Sequence, residues 1–177
     1  MKIVIVVDVQ NDFTYGALGS PEASDAIPNI IDQLSSLEKH DIVIFTRDTH
    51  GKHYLDTQEG KNLPVPHCIY GTEGWEIVES VQKAVAPTQH PVFVNKPIFG
   101  SYNLIDMIAD YIDAYSVDEV EIFGFCTDIC VISNALMIKS AFPEMKITIR
   151  ENCCAGVTPE KHAAAIEVMK SCQIDIV

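Results

Sequence analysis

The sequence predicts an α/β fold, a three-layer α/β/α sandwich built around a six-stranded, mostly parallel sheet. Short continuous apolar runs such as Lys2–Val7 are typical of strands that are buried on both faces of a sheet. Between these runs, apolar residues recur at the spacing of helices. The chain has 177 residues, of which 47% are hydrophobic and 21% charged, and this suits one domain over residues 1–177.

Predicted strands and helices alternate along the whole chain. After the strand at residues 2–7, strands are predicted at residues 41–46, 91–95, 119–124, 146–150 and 174–177. Helical spacing covers residues 27–37, 75–85, 104–115, 129–137 and 159–171, the last of which starts with a proline. Such alternation implies parallel strands that are joined by right-handed crossovers, with helices on both faces of the sheet.

The charge of the chain limits its partners. The formal net charge is −13, and the only arginines are Arg47 and Arg150. Nucleic acids and anionic membranes need basic patches, so the charge argues against both and favours a neutral or cationic small molecule. No apolar run reaches the length of a membrane span, and the first strand starts at Lys2 rather than in a signal peptide. The six cysteines lack a secreted disulfide pattern, so we expect a cytoplasmic protein.

Residues 120–132 bring Cys130 to the start of a predicted helix. Thr127 and Asp128 are good N-cap residues and are expected to cap that helix. A thiol in the first turn of a helix lies near the positive end of the macrodipole, which favours the thiolate over the thiol. Cys130 is therefore a candidate nucleophile. The alternative is a small apolar residue that simply packs in the core.

Side chains with useful chemistry follow four of the predicted strands. Asp8 follows the first strand, Asp48 and His50 follow the second, Lys96 follows the third, and Cys130 follows the fourth. Ligands of open α/β sheets bind outside the carboxyl ends of the strands. There Asp8 can take the thiol proton and return it to a leaving group, and Lys96 can lower the pKa of the thiol. Each residue on its own could also be an ordinary turn or loop residue.

Six motifs carry a resemblance to a known family. They are D-V-Q-N-D-F at residues 8–13, D-T-H at 48–50, P-V-P-H-C at 64–68, K-P-I-F-G-S-Y at 96–102, G-F-C-T-D-I-C-V at 124–131 and C-A-G-V-T-P-E-K-H at 154–162. Over essentially the whole chain, the sequence resembles the isochorismatase-like cysteine hydrolase superfamily and, within it, the nicotinamidases. The resemblance implies a Rossmann-like, isochorismatase-like fold and a catalytic triad of Asp8, Lys96 and Cys130. Isochorismatases proper lack the nucleophilic cysteine, so Cys130 implies hydrolysis of an amide.

The resemblance also implies an oxyanion hole beside the nucleophile. The family pattern places a cis peptide bond in the turn before the nucleophile, here between Phe125 and Cys126. That turn would direct the backbone N–H groups of Cys126 and Cys130 at the oxyanion of a tetrahedral intermediate. Cys126 would then contribute its backbone rather than its sulfur.

Residues 47–74 show no convincing helix or strand, and a loop of this length inside a compact domain is often functional. The resemblance implies a metal site in this loop, with Asp48, His50, Glu59 and His67 as its ligands. His53 is the alternative to Glu59. Mixed oxygen and imidazole ligands suit Zn²⁺ first, with Mn²⁺ or Fe²⁺ as alternatives. Without the resemblance, these residues could equally be solvated side chains of an exposed loop.

The leading hypothesis is a metal-assisted cysteine amidase that converts nicotinamide and water to nicotinate and ammonia through a thioester. The pyridine nitrogen would face the metal, and the carboxamide would lie over Cys130. Candidates for the pocket walls, each of which could equally be ordinary core, are Phe13, Leu18, Leu63, Phe99 and Tyr102. The expected partner is thus a small-molecule amide, and the resemblance is compatible with a homo-oligomer.

Two alternatives remain open at this point. The first is another amidase of the superfamily, such as an N-carbamoyl amino-acid or ureidoacid hydrolase. Its carboxylate substrate would call for an arginine, and Arg47 is the only candidate near the edge of the sheet. The second is a non-catalytic metal- or ligand-binding domain on the same scaffold, against which the complete set of Asp8, Lys96 and Cys130 counts.

Overall fold

Six strands form one sheet in which every neighbouring pair is parallel. They are β1 Lys2–Val7, β2 Ile42–Asp48, β3 Val92–Lys96, β4 Glu119–Phe125, β5 Lys146–Ala155 and β6 Asp175–Ile176. Their order across the sheet is β3-β2-β1-β4-β5-β6. The structure is a computed structural model that describes residues 1–177. The predicted six-stranded α/β architecture is confirmed, and the sheet is wholly rather than mostly parallel.

Seven α-helices cover the two faces of this sheet. They are α1 Asn11–Thr14, α2 Pro21–Ser35, α3 Gln58–Asn62, α4 Glu79–Ala84, α5 Tyr102–Ala114, α6 Ile132–Ala141 and α7 Pro159–Ser171. Helix α2 packs against α1 and α4, whereas α6 packs against α5 and α7. With right-handed crossovers these two groups lie on opposite faces of the sheet. The central strand β1 is buried from Ile3 to Val7, so the core lies on both sides of it.

Hydroxyl side chains start the three long crossover helices. Ser20 caps α2 by accepting a hydrogen bond from Ala23 N at 3.0 Å. Ser101 caps α5 in the same way, and Thr158 caps α7. Each cap satisfies one of the N–H groups that a helix leaves without a partner at its first turn. These caps fix where the chain leaves the carboxyl edge of the sheet.

The structure differs from the predicted elements between β2 and β3. Residues 47–74 are not devoid of structure, because they contain α3 and the 3₁₀ turns Tyr54–Asp56 and Glu73–Trp75. The predicted helix from Trp75 to Val85 shortens to α4. Residues before α4 extend along the sheet instead, and Val78 N donates to Val9 O at 3.0 Å. Ile77 and Val78 are nevertheless buried in the hydrophobic core.

Strand β5 runs five residues beyond its predicted end because its pairing with β4 contains a bulge. Ile122 pairs with Ile149, but Gly124 pairs with Cys154. The extra residues of β5 let the strand resume and reach Ala155 at the carboxyl edge. Gly124 has a φ of +127°, and a Cβ there would lie 2.1 Å from the Val7 carbonyl oxygen. Glycine at this position therefore allows the ends of β4 and β1 to approach each other closely.

Two further observations concern the class of protein. None of the helices combines the length and the apolar character needed to cross a membrane. All six cysteines are free thiols.

We expect Gly124→Ala to lower the free energy of unfolding by roughly 2 kcal/mol or more, because the new Cβ meets Val7 and the positive φ is unfavourable for alanine. Urea denaturation followed by circular dichroism measures the change. Gly51→Ala is the matched control, since a Cβ at Gly51 meets no atom within 4 Å. The control should stay within about 0.5 kcal/mol of the parent protein. Equal losses in both variants would contradict the close approach of β4 to β1.

Candidate active site

The site forms where the order of the strands reverses. In this sheet the reversal falls between β1 and β4, and ligands of doubly wound sheets bind at such a switch point. Asp8 directly follows β1, Lys96 ends β3, and Cys130 lies in the turn after β4. Asp8 has a φ of +49°, in the left-handed region that aspartate tolerates better than most residues. The structure therefore brings together three residues that are far apart in sequence.

Lys96 contacts both of the other residues. Its Nζ lies 2.6 Å from Asp8 Oδ2 and 3.4 Å from Cys130 Sγ. Nζ also donates to the Ile98 carbonyl oxygen at 3.2 Å. The second oxygen of Asp8 accepts a hydrogen bond from Thr46 Oγ1 at 2.6 Å. All three side chains are buried, so the ammonium, the carboxylate and the thiol meet with little solvent between them.

Burial strongly affects the pKa values of these three side chains. Burial raises the pKa of the Cys130 thiol, and the nearby Lys96 ammonium opposes this effect without overcoming it. In this structure burial therefore opposes the thiolate that the position at the helix start is expected to favour. Burial also raises the pKa of Asp8, again against the opposing effect of Lys96. Lys96 itself keeps its charge, because Asp8 and its other acidic neighbours raise its pKa despite burial.

The turn that carries Cys130 is wider than a normal helical turn. Residues Thr127–Val131 form a π-helical turn that leads into α6. The prediction that Thr127 and Asp128 cap this helix is wrong, since no side chain caps the turn. Thr127 Oγ1 instead lies 2.8 Å from His162 Nδ1, and Asp128 Oδ1 accepts from Val157 N at 2.9 Å. Both side chains thus bond to residues in the first turns of α7 or just before it.

The peptide bond between Phe125 and Cys126 is cis, as the family resemblance implies. The Cys126 carbonyl oxygen accepts hydrogen bonds from Ile129 N and Val131 N. The Cys126 N–H, which lies outside every strand and helix, donates to no backbone acceptor. Cys126 and Cys130 both line the same cavity. A free backbone donor therefore lies in the wall that also holds the thiol.

Four more side chains converge next to this triad. The ligand atoms of Asp48, His50, Glu59 and His67 all lie within 4.8 Å of one another. His50 Nε2 and His67 Nε2 are 2.9 Å and 3.3 Å from Asp48 Oδ2, and 3.6 Å and 3.8 Å from Glu59 Oε1. Tetrahedral ligands at metal distances of 2.0–2.2 Å are themselves separated by about 3.4 Å. The observed separations and the mixed imidazole and carboxylate donors fit one divalent metal ion.

Glu59, not His53, belongs to this cluster. Glu59 lies on α3, whose start is capped by the hydroxyl of Thr57. His53 is almost fully exposed, and its contact is with Asp56 at 3.7 Å. Burial and the neighbouring Asp48 carboxylate raise the pKa of Glu59, which indicates that the two acidic groups repel each other. A bound cation would relieve this repulsion.

The residues around the cluster orient its imidazoles. His67 Nδ1 lies 2.8 Å from the Val65 carbonyl oxygen, so that Nε2 points at the cluster. The ring of Tyr54 packs against both histidines, and its centre lies 4.7 Å from the centre of the His50 ring and 5.0 Å from that of the His67 ring. Burial raises the pKa of Tyr54 to about 12. This buried aromatic wall was not anticipated, because in the sequence Tyr54 reads as part of an exposed loop.

A cavity of about 350 Å³ opens over both groups. Four of the five predicted wall residues line it: Phe13, Leu18, Leu63 and Phe99. Tyr102 does not, because it is the first residue of α5 and 81% of its surface is exposed. Other parts of the wall come from residues that lie in two of the matched motifs but were not predicted to line the pocket, chiefly Ile129 and residues 155–157, with Lys161. The lining is mainly apolar, as is usual for small-molecule sites.

Sequence reasoning missed three polar residues that hold the site. Gln10 is fully buried, and its amide both donates to the Asp48 carbonyl and accepts from the Asp48 N–H. Asp12 accepts from Cys68 N at 2.8 Å and so fixes the chain next to His67. Asn134 donates to the carbonyls of Phe99 and Cys130. Gln10 and Asp12 lie inside a matched motif, but only tertiary structure identifies their partners.

Known proteins resemble this chain throughout its length. A nicotinamidase/pyrazinamidase of Mycobacterium tuberculosis is 27% identical over 188 residues, which cover 100% of this chain and 98% of the relative. The crystal structure of a nicotinamidase/pyrazinamidase from Bacillus subtilis matches with a TM-score of 0.84 at 27% identity and covers 100% of both chains. A pyrazinamidase of Pyrococcus horikoshii in complex with zinc matches with a TM-score of 0.82 at 28% identity, over 99% of this chain and 98% of the other.

These likenesses confirm the predicted fold and the resemblance that the motifs carry. The family model described as the isochorismatase domain matches residues 2–177. Because that match spans essentially the whole sequence, this protein belongs to the isochorismatase family.

Proposed function

We propose that this protein is a cysteine-dependent, metal-assisted amidase that hydrolyses nicotinamide or a close aromatic carboxamide to the carboxylate and ammonia. The observation that carries the proposal is the buried contact of Lys96 with both Asp8 and Cys130, at 2.6 Å and 3.4 Å. A thiol, a carboxylate and an ammonium in such contact suit covalent catalysis of acyl transfer. The nicotinamidases and pyrazinamidases among the similar proteins support an amide substrate.

Asp8 is the general base of the proposed first step. Its Oδ2 lies 2.6 Å from Lys96 Nζ, and burial raises the pKa of the carboxyl group. This oxygen can therefore accept the proton from Cys130 Sγ while the sulfur forms a bond to the amide carbon. The carbonyl π pair moves onto oxygen and gives a tetrahedral oxyanion. Lys96 keeps its charge throughout and stabilises the negative charge that passes between the thiol and the carboxylate.

The backbone of the nucleophile turn would bind the oxyanion. The free N–H of Cys126 and the N–H of Cys130 are the proposed donors. As the tetrahedral intermediate collapses, the C–N bond breaks and Asp8 returns its proton to the leaving nitrogen, which departs as ammonia. Asp8 then takes a proton from water as the water oxygen adds to the thioester carbon. When this second tetrahedral intermediate collapses, the C–S bond breaks, the carboxylic acid is released, and Asp8 returns the proton to the Cys130 thiolate.

We infer that Asp48, His50, Glu59 and His67 hold a divalent ion, with zinc favoured by the complex of the Pyrococcus horikoshii pyrazinamidase. When bound, such an ion supplies a coordination position for the ring nitrogen of the substrate. The protein's own contribution is to hold the ring. Phe13 packs edge-on against His67 at 5.5 Å, and Phe99 lines the same cavity.

One observation favours an amidase for N-carbamoyl amino acids as the second candidate. Lys161 lines the cavity, where its charge can attract a substrate carboxylate. Arg47, the cation expected for such a substrate, does not line the cavity. Its guanidinium lies 4.0 Å from the centre of the Trp75 ring, and its Nε donates to Asn95 at 2.8 Å. Arg47 is thus held by neighbours in the protein, which leaves Lys161 as the basis of the alternative.

Ammonia release from nicotinamide, pyrazinamide and an N-carbamoyl amino acid tests the substrate class. We expect turnover of the aromatic carboxamides and a loss of at least about 1,000-fold in Cys130→Ala, because the variant lacks the thiol that contacts Lys96. Cys172→Ala is the matched control, since this cysteine does not line the cavity, and it should retain full activity. Turnover of the N-carbamoyl substrate alone would favour the second candidate, and turnover of no amide would contradict amidase activity.

The metal cluster is tested by comparing Glu59→Gln with His53→Gln. We expect Glu59→Gln to weaken metal retention by at least about tenfold, because it removes one charged donor from the cluster. His53→Gln should bind metal as the parent protein does, because its side chain faces solvent. Metal content after dialysis is measured by mass spectrometry, and activity is followed after chelation and readdition of Zn²⁺, Mn²⁺ or Fe²⁺. Metal loss in His53→Gln alone would overturn the assignment of Glu59.

The protonation of Cys130 predicts a pH dependence for metal-depleted protein. Because burial raises the pKa of this thiol, the thiolate fraction at neutral pH is small and grows as the pH rises. We therefore expect the rate of Cys130 alkylation by iodoacetamide to increase throughout roughly pH 6 to 9. Mass spectrometry of the tryptic peptide gives the rate for this cysteine alone. A rate that is flat across this range would indicate a preformed thiolate instead.

A further inference from the structure

We propose that His162 and Thr127 are positioning residues, which hold the nucleophile turn so that its backbone N–H groups face the oxyanion. Neither residue is among the predicted site residues, and neither lines the cavity. The inference rests on the proposed amide hydrolysis and assigns a further function to a contact outside the triad and the metal cluster. It is carried by the hydrogen bond between Thr127 and His162, together with the tight packing around it.

Thr127 lies in the three-residue segment between the two proposed oxyanion donors. It directly follows Cys126 and is the first residue of the π-helical turn that contains Cys130. Its side chain is fully buried, yet it caps no helix end. The hydroxyl lies 2.8 Å from His162 Nδ1. A buried hydroxyl that serves no cap and meets one imidazole is more than packing, because a buried polar group requires a specific partner.

The imidazole of His162, which is this partner, is held in a fixed position. It lies in the first turns of α7, and its Nε2 faces the Glu151 carboxylate at 3.6 Å. With the Nε2 proton directed at the carboxylate, Nδ1 is the acceptor and the Thr127 hydroxyl is the donor. The imidazole is only 20% exposed, so its rotation is restricted. The contacts of Glu151, His162 and Thr127 thus form a continuous chain from the surface to the nucleophile turn.

A second contact and a glycine keep the turn against α7. Asp128, which directly follows Thr127 in the same turn, accepts a hydrogen bond through its Oδ1 from Val157 N at 2.9 Å. A Cβ at Gly156 would lie 2.9 Å from both Asp128 Oδ1 and His162 Cβ. Glycine is therefore required for this close approach. The turn is thus held on one side by contacts with α7 and the residues before it, while Cys126 and Cys130 line the cavity.

Contacts that position the nucleophile turn affect the transition state rather than substrate binding. Oxyanion donors gain their full effect only when charge develops on the carbonyl oxygen. A turn that is free to shift would lose this alignment without losing contacts to the ring of the substrate. We therefore expect Thr127→Val to lower kcat by about tenfold and to leave KM within about twofold. Thr127→Ser keeps the hydroxyl and should restore most of kcat.

Substitutions of His162 test the partner. His162→Asn retains a polar group at the position of Nδ1, whereas His162→Leu removes it. We expect kcat to fall by about tenfold in His162→Leu and by much less in His162→Asn. The double variant with Thr127→Val should be no slower than either single variant, because both remove the same contact. Thr148→Val is the matched control, since it removes another buried hydroxyl, one that bonds to Glu119 and does not line the cavity.

An aldehyde separates positioning from a general loss of stability. Pyridine-3-carbaldehyde can add Cys130 Sγ to its carbonyl carbon, its oxygen becoming an alkoxide while the thiol proton passes to Asp8. We expect its inhibition constant to rise about tenfold in Thr127→Val and His162→Leu, while the competitive affinity of an unreactive pyridine stays the same. Thermal denaturation identifies any variant that is merely unfolded. Thr148→Val should change the melting temperature but not the inhibition constant.

The outcomes distinguish this inference from the function on which it rests. Absence of amide turnover by the parent protein would contradict the proposed function, whereas aldehyde binding would still report on the turn. Turnover by the parent protein, with Thr127→Val and His162→Leu unchanged in kcat and in aldehyde affinity, would overturn the positioning role. Equal losses of kcat in Thr127→Val and the control Thr148→Val would also overturn it, because they would indicate an effect of stability alone.

Discussion

The ion pair between Lys96 and Asp8 is the interaction on which the site depends. Both side chains are fully buried, and an unpaired charge at either place would be strongly destabilising. The pair joins the ends of β3 and β1, which are not neighbours in the sheet, across β2. Strand β2 contributes Thr46 to Asp8 from the same edge. These buried polar contacts therefore tie together the carboxyl ends of the three strands.

The same lysine links the two halves of the site. Lys96 Nζ is 4.0 Å from Asp48 Oδ1, so the carboxylate that begins the metal cluster also contributes to the charge around the thiol. The negative charge of Asp48 raises the pKa of Cys130 and of Asp8, while the two histidines hold the pKa of Asp48 below its usual range. The charge of Asp48 thus acts on the Cys130 thiol as well as within the cluster. Cluster and triad form one electrostatic unit.

Whether a feature of the fold or the site could be predicted from the sequence depends on whether local interactions determine it. The strands and the side chains that follow them were predictable, because buried apolar runs and the rule for carboxyl edges need no knowledge of partners. Local patterns failed where tertiary contacts decide the structure. Trp75 has helical spacing to Val78 but lies in a 3₁₀ turn under Arg47, and Thr127 resembles a cap but bonds to His162. Cys130 shows the same limit, because the extent of its burial, which raises the pKa of the thiol, is visible only in the structure.

Chemistry and substrate choice are carried by different parts of the chain. The reacting groups lie on strand ends and on one turn, where backbone pairing and buried contacts leave little freedom. The cavity mouth is formed by loop residues that remain substantially exposed, such as Leu63, Phe99 and Val157. Changes in these loops alter the shape of the cavity without disturbing the ion pair beneath it. A single scaffold can therefore keep the proposed hydrolytic mechanism while its loops determine which amide reaches the thiol.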